Sequence, residues 1–209
     1  MADPTPTLFV HGLWMTGVEG MLLRQRLSSY GLLLTTFRYD TTAETAADVV
    51  SRLATVIREL GPEVPLLGHS LGGLLILRCL AANPDLAVGP VVLLGSPVNG
   101  SRSAQSLARL PGASWLMGEA ATRELLAGGP RVWTRESPLG VIAGSVPFGL
   151  GAVIADLPLP HDGAVTVAET QLHGASAQRV FPVNHMGLLA SAAVARAVAG
   201  FIRSGQFSD

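Results

Sequence analysis

Residues 64–75, VPLLGHSLGGLL, constrain this chain more than any other stretch. An apolar run leads into Gly68-His69-Ser70-Leu71-Gly72, and a second apolar run with helical character follows. This is the G-x-S-x-G pattern, in which a serine sits on a sharp turn between a strand and a helix. The glycines have a steric reason: a turn this tight brings the backbone so close to its neighbours that a Cβ on either would collide. The serine hydroxyl then projects beside the helix N-terminus. There, unpaired amide N–H groups and the helix dipole favour developing negative charge. Leu74-Leu75-Ile76-Leu77, continuing into Arg78-Cys79-Leu80-Ala81-Ala82, supplies the helix. Read without chemistry, the same stretch is a glycine-rich strand-to-helix turn. Pro65 falls where a central strand is expected, and its missing N–H is tolerable only if the strand begins there.

Composition narrows the class. With 209 residues, 48% apolar and 14% charged, the chain can bury a sizeable core as one domain, 1–209, and is not a disordered sequence. A net charge of −1 leaves no electrostatic footprint for nucleic acid. All 14 basic residues are arginine, so Schiff-base and Ser-Lys mechanisms are excluded. Cys79 is the only cysteine, which excludes an internal disulfide and a cysteine metal cluster; in the helix after Ser70 it reads as a buried, inert thiol. The start, MADPTPTLFV, has neither the basic nor the long apolar region of a signal peptide, so a cytoplasmic location is expected. Residues 139–155 are uncharged but too short and too broken by glycine and proline for a membrane helix, and they read as a buried strand running into an apolar loop.

Strand and helix signals alternate along the chain. Strands are expected at residues 7–10, 32–39, at the segment before Ser70, and at 90–95, 139–145 and 177–183. A first helix is expected over 17–29. Thr41-x-x-Glu44 reads as a capping box, and Ala46, Val49, Val50, Leu53, Val56, Ile57 and Leu60 keep helical spacing until Gly61-Pro62 stops them. Residues 187–203 read as a closing amphipathic helix. The alternation predicts an α/β fold, a mostly parallel sheet of about six strands with helices on both faces. From 96 to 137 prolines and glycines break the pattern, with short helices at 104–110 and 118–127.

GHSLGG, together with Phe9-Val10-His11-Gly12 upstream, resembles the lipase and esterase branch of the α/β-hydrolase superfamily. Matching pieces run from about residue 8 to about residue 202, and the chain is most similar to small bacterial lipase-like hydrolases. GPI inositol-deacylases and bacterial triacylglycerol lipases are more distant likenesses. Against that pattern the usual leading hairpin is missing, and 96–137 corresponds to a short cap inserted after the fourth strand.

A serine hydroxyl needs a base to take its proton and an acid to orient that base. The resemblance implies the chain order serine, acid, histidine. His185, in Phe181-Pro182-Val183-Asn184-His185-Met186, follows the last strand and is the preferred base. His173 reads as a solvated loop residue, and His161 as a neighbour of the acid. Asp162 in His161-Asp162-Gly163-Ala164-Val165 resembles the Asp-Gly-x-Val segment that supplies the acid in many lipases; Asp156, Glu136 and Glu169 are the rivals. Of these, Asp156 fits a turn cap and Glu169 a surface turn. The oxyanion hole is expected from the backbone N–H groups of Leu71 and, by resemblance to the His-Gly-x loop, Leu13. Trp14, Met15 and Met186 are candidates to wall the substrate pocket, with ordinary core packing as the alternative for Trp14 and Met15. Val98 and Leu188 stand near the site, and Leu107, Leu110, Trp115, Leu116 and Met117 are candidates to cover its mouth.

The implied activity is hydrolysis of a neutral carboxylic ester with a short to medium acyl chain through an acyl-enzyme, with no metal or cofactor. Acyltransferase, thioesterase and long-chain lipase chemistry would use the same residues. A binding protein on a hydrolase fold is a reading from another class. The expected partner is a small-molecule ester, with no nucleic acid and no membrane segment.

Overall fold

The computed structural model describes residues 4–112, 117–130 and 132–207. Strands β1 (Thr5–Val10), β2 (Leu32–Phe37), β3 (Leu66–His69), β4 (Val91–Leu94), β5 (Leu139–Gly144) and β6 (Ala177–Phe181) form one sheet. Its order is β2-β1-β3-β4-β5-β6, and every neighbouring pair is parallel. Burial on both faces explains the near-continuous apolar runs of the central strands. Leu8 and Val10 enter one core and Phe9 the other, and Val91 and Leu93 are likewise divided from Val92 and Leu94.

The helices follow from the same division. On one face lie α2 (Ala46–Leu60) and α3 (Leu71–Ala82), contributing Val49, Leu53, Ile57 and Ile76. On the other lie α1 (Met21–Ser28) and α9 (Ala192–Ser204), with Leu23, Leu27, Val198 and Phe201. Helix α2 starts one turn later than Thr41-x-x-Glu44 predicts. Its cap is Thr45, whose side chain accepts the Asp48 N–H at 3.2 Å, while Glu44 accepts the Asp40 N–H at 2.7 Å and pairs with Arg52. Two Thr-x-x-acid spacings, Thr41–Glu44 and Thr45–Asp48, follow one another here, and the one beside the apolar periodicity caps the helix. Pro65 lies just before β3, where its carbonyl accepts the Leu8 N–H at 2.9 Å.

Within 96–137, α4 (Arg102–Ala108) and α5 (Glu119–Ala127) form on the α3 side. Arg78 of α3 reaches the buried Glu124 of α5 at 2.6 Å. Beyond β5 the expectation of a buried apolar segment holds only in part: β5 is buried throughout, but Phe148, Leu150 and Val153 are more than two-thirds exposed, the last two on α6 (Leu150–Ile154). Short helices α7 (Val167–Thr170) and α8 (Gly187–Ala190) complete the chain order. Among the described residues, no helix is long and apolar enough to cross a membrane.

The strand order positions the site. From β1 the chain steps outward to β2, then returns to β3 on β1's other flank, so the direction of winding switches between β1 and β3. Loops leaving the carboxyl ends of strands at such a switch diverge and leave a crevice.

Candidate active site

Ser70 occupies the turn between β3 and α3 with φ 53° and ψ −122°, a left-handed conformation in a non-glycine residue. Such strain is held only where surroundings over-determine it. Its N–H donates to the Leu94 carbonyl at 2.9 Å, and its carbonyl accepts the Gly73 N–H at 3.1 Å. Gly72 makes the turn sterically feasible: a Cβ there would lie 2.1 Å from the Val10 carbonyl oxygen and 2.5 Å from that of His11. At Gly68 an added Cβ would meet the Gly73 Cα at 2.5 Å.

Asp162 and His185 are brought together from loops beyond β5 and β6. His185 Nδ1 lies 2.7 Å from Asp162 Oδ2, and the two backbones are tied by His185 N–H to the Asp162 carbonyl at 2.8 Å. Asp162 Oδ1 accepts the Ala164 and Val165 N–H groups at 2.9 and 2.7 Å. Burial pushes the Asp162 carboxyl up. The charge of His185 and the hydrogen bonds from His185, Val165 and Ala164 outweigh that and hold it below the usual carboxylate value. An ionised carboxylate only accepts, so the Nδ1 that faces it carries a hydrogen, and in the neutral ring the lone pair lies on Nε2.

Ser70 and His185 line one cleft of about 270 Å³. No hydrogen bond joins Ser70 Oγ to His185 among the described residues; in ligand-free sites such contacts are often long and tighten with substrate. Leu13, Trp14, Leu107, Met117, Leu125, Leu150 and Ile154 supply its apolar lining. The Leu13 and Leu71 N–H groups donate no hydrogen bond among the described residues.

Several candidates sit elsewhere. Met15 is buried in the core, where its sulfur accepts the Gly12 N–H at 3.3 Å, and it does not line the cleft. Met186 is half exposed and outside the lining, as is Leu110. Val98 and Leu188 are core residues on opposite faces of the sheet. Trp115 and Leu116 lie outside the described residues. Asp156, Glu136 and His173 are exposed. His161 is buried, its Nδ1 accepting the Gly163 N–H at 3.1 Å. Glu169 corrects the surface-turn expectation: it is buried, completes a capping box with Thr166, and accepts the Arg102 N–H at 2.7 Å, tying α4 to the acid loop.

Two features escape a residue-by-residue reading. Gly95, with φ 57°, ends β4 where an added Cβ would lie 3.1 Å from both Asp162 Oδ2 and His185 Cε1. Gly144 ends β5 where a Cβ would meet Asp162 Cβ at 2.8 Å. The repeated strand-Gly-Ser in Leu94-Gly95-Ser96 and Ala143-Gly144-Ser145 is the signal that marks them. His69, the variable residue of the pentapeptide, lies under His185 with rings 4.6 Å apart, and its Nε2–H donates to the His185 carbonyl at 3.2 Å. Burial, and then the proximity of His185, lower its pKa to about 3, so it is neutral. Among the described residues, no group of three or more His, Cys, Asp or Glu could hold a metal ion.

Comparison with known proteins agrees with this architecture. The family model described as "Alpha/beta hydrolase" matches residues 28–124. No curated protein matches the chain in sequence. Among solved structures, the Bacillus licheniformis lipase BlEst2 in mature form superposes with a TM-score of 0.77 at 20% identity, covering 99% of this chain and 93% of that one. A monoacylglycerol lipase from Paleococcus ferrophilus gives 0.63 at 15% identity, covering 99% and 97%. RedJ, a thioesterase of the prodiginine pathway in Streptomyces coelicolor, gives 0.63 at 13% identity, covering 95% and 86%. With six parallel strands in this order and that match over nearly half of its length, the chain is an α/β-hydrolase-fold protein.

Proposed function

We propose that the protein hydrolyses neutral carboxylic esters of short to medium acyl chain, with Ser70 as nucleophile, His185 as base and Asp162 as the acid that orients it. The reading is carried by one observation: His185, paired with the buried Asp162, lines the same apolar cleft as the strained Ser70. Ser70 Oγ attacks the acyl carbon while its proton passes to His185 Nε2. The carbonyl oxygen becomes an oxyanion, received by the N–H groups of Leu13 and Leu71. His185 then protonates the departing alcohol, and water, deprotonated by the same nitrogen, releases the acid and restores Ser70.

The cleft argues for the substrate class. At about 270 Å³ it lies at the small end of ligand pockets, and its walls are apolar. Arg78 is engaged by Glu124, and neither it nor Arg102 lines the cleft. Each methylene buried is worth ~0.8 kcal/mol, so kcat/KM rises a few-fold per acyl carbon until the pocket fills. A panel of p-nitrophenyl esters tests this: a maximum at short to medium length is expected, and rates that keep rising into emulsified long-chain triglycerides overturn it. The likeness to a thioesterase keeps one second reading, thioester hydrolysis by the same residues, which matched ester and thioester substrates separate.

A further inference from the structure

The loop after β1 that carries Leu13 lies beyond the last paired residue of the strand, so the sheet does not fix it. Trp14 within it has φ 58°, the left-handed region in a residue with a bulky side chain. A conformation of that kind persists only where neighbours enforce it. The neighbours here belong to the loop between β2 and α2. Tyr39 OH donates to the His11 carbonyl at 2.7 Å, and the Tyr39 and His11 rings stack at 4.4 Å with 15° between their planes. Thr41 Oγ1 accepts the Trp14 N–H at 3.2 Å. On the inner side, the Cα of Gly12 sits so close to the serine turn that a Cβ there would be 3.1 Å from Ser70 Cβ. Leu13 is therefore suspended between two anchored residues.

We infer that Tyr39 and Thr41 are positioning residues that hold the Leu13 N–H at the oxyanion site. Both are buried and neither lines the cleft, so they act through the loop rather than on substrate. The role accounts for Thr41, which begins a Thr-x-x-Glu motif yet caps no helix because Thr45 does. It also accounts for the left-handed Trp14 in the cleft lining, whose N–H the Thr41 hydroxyl anchors. The inference rests on the ester-hydrolysis reading above.

Thr41→Val keeps shape and removes the acceptor; Tyr39→Phe keeps the stacked ring and removes the donor. With p-nitrophenyl butyrate, each is expected to lower kcat about tenfold to a hundredfold with KM within about twofold, since displacing a catalytic group by an ångström costs up to ~10²-fold. Affinity for a trifluoromethyl ketone, whose adduct carries an oxyanion, falls by the same factor. Thr41→Ser restores kcat to within about threefold, which a purely structural loss would not do. Wild-type kcat in both variants overturns the inference, and so does a kcat loss that leaves inhibitor affinity unchanged and that Thr41→Ser does not restore. Should Tyr39→Phe fail to fold, the Thr41→Val and Thr41→Ser pair decides alone. Two controls separate this from the parent reading. An inactive wild type, or an active Ser70→Ala, removes both; an active wild type with inactive Ser70→Ala and unimpaired loop variants removes the inference only.

Discussion

The two loops that flank Ser70 are built on opposite principles. On the base side, a carboxylate with 1% of its surface exposed is held by two backbone N–H groups and an imidazole, a charged network in the interior. On the other side the contacts are neutral: a tyrosine hydroxyl, a threonine hydroxyl and a stacked histidine whose pKa is lowered by burial. The difference matches what each side does in the proposed reaction. A ring that gains a proton in each turnover needs a buried counter-charge waiting for it. A pair of N–H groups needs only fixed direction in a dry site, where dipoles act at full strength.

The sharpest way to break that contrast is at its hinge. Ser70→Ala is expected to reduce ester turnover to the residual ~10³–10⁴ over water that binding and oxyanion contacts alone supply, with loss of fluorophosphonate labelling. Labelling that survives would mean another serine reacts. On the charged side, Asp162→Asn should lower kcat by up to about 10⁴-fold, because the amide can donate to Nδ1 and leave the wrong tautomer. His185→Ala should cost at least as much. The exposed Asp156→Asn and His173→Ala should each stay within about tenfold, ~1.4 kcal/mol; if Asp156→Asn is the more damaging change, the acid is misassigned.

Smaller effects sharpen the comparison. Gly95→Ala puts a methyl 3.1 Å from both members of the charged pair at a φ of 57°, and kcat should fall about tenfold to a hundredfold. Unchanged kcat would show that the pair is not held by contact with the end of β4. The last effect is on stability rather than on rate. His69 is held neutral, with a folded pKa of about 3 against an ordinary 6.5. Below pH 6.5 the unfolded chain therefore binds the extra proton, and stability falls with pH until about pH 3, by at most ~1.4 kcal/mol per pH unit. His69→Phe should flatten that part of the stability curve measured by urea unfolding; an equally steep curve in the variant would place the dependence elsewhere.

How far the residues themselves foretell this molecule depends on the range of the forces involved. The turn at Ser70 was legible because close backbone approach forces glycine at fixed spacing around the serine, at Gly68 against Gly73 and at Gly72 against the end of β1, and the strands because burial on both faces writes continuous apolar runs such as Val91–Leu94. Helix α2 was legible in its stripe but not at its start, since Thr41 and Thr45 head equivalent spacings and only the packed face chooses between them. Glu169 looked like a surface residue because a charged side chain on a short turn usually is; Thr166-x-x-Glu169 carries a local capping signal, but the Arg102 N–H that Glu169 also accepts lies on a separate helix. Met15 looked like a pocket wall for the same reason in reverse, being adjacent to Trp14 in the chain but pointing into the core.

Sequence alone thus determined the alternation of strands and helices, the serine turn and the type of chemistry open to a chain without lysine and with one cysteine, because these follow from local sterics, periodicity and composition. Tertiary structure decided which acid meets which histidine, which side chains face the cleft, and what braces the loop at Leu13. Each of those is a contact between segments far apart in the chain, such as Asp162 with His185 or Tyr39 with His11, and no local propensity encodes a distance that only the closed sheet creates.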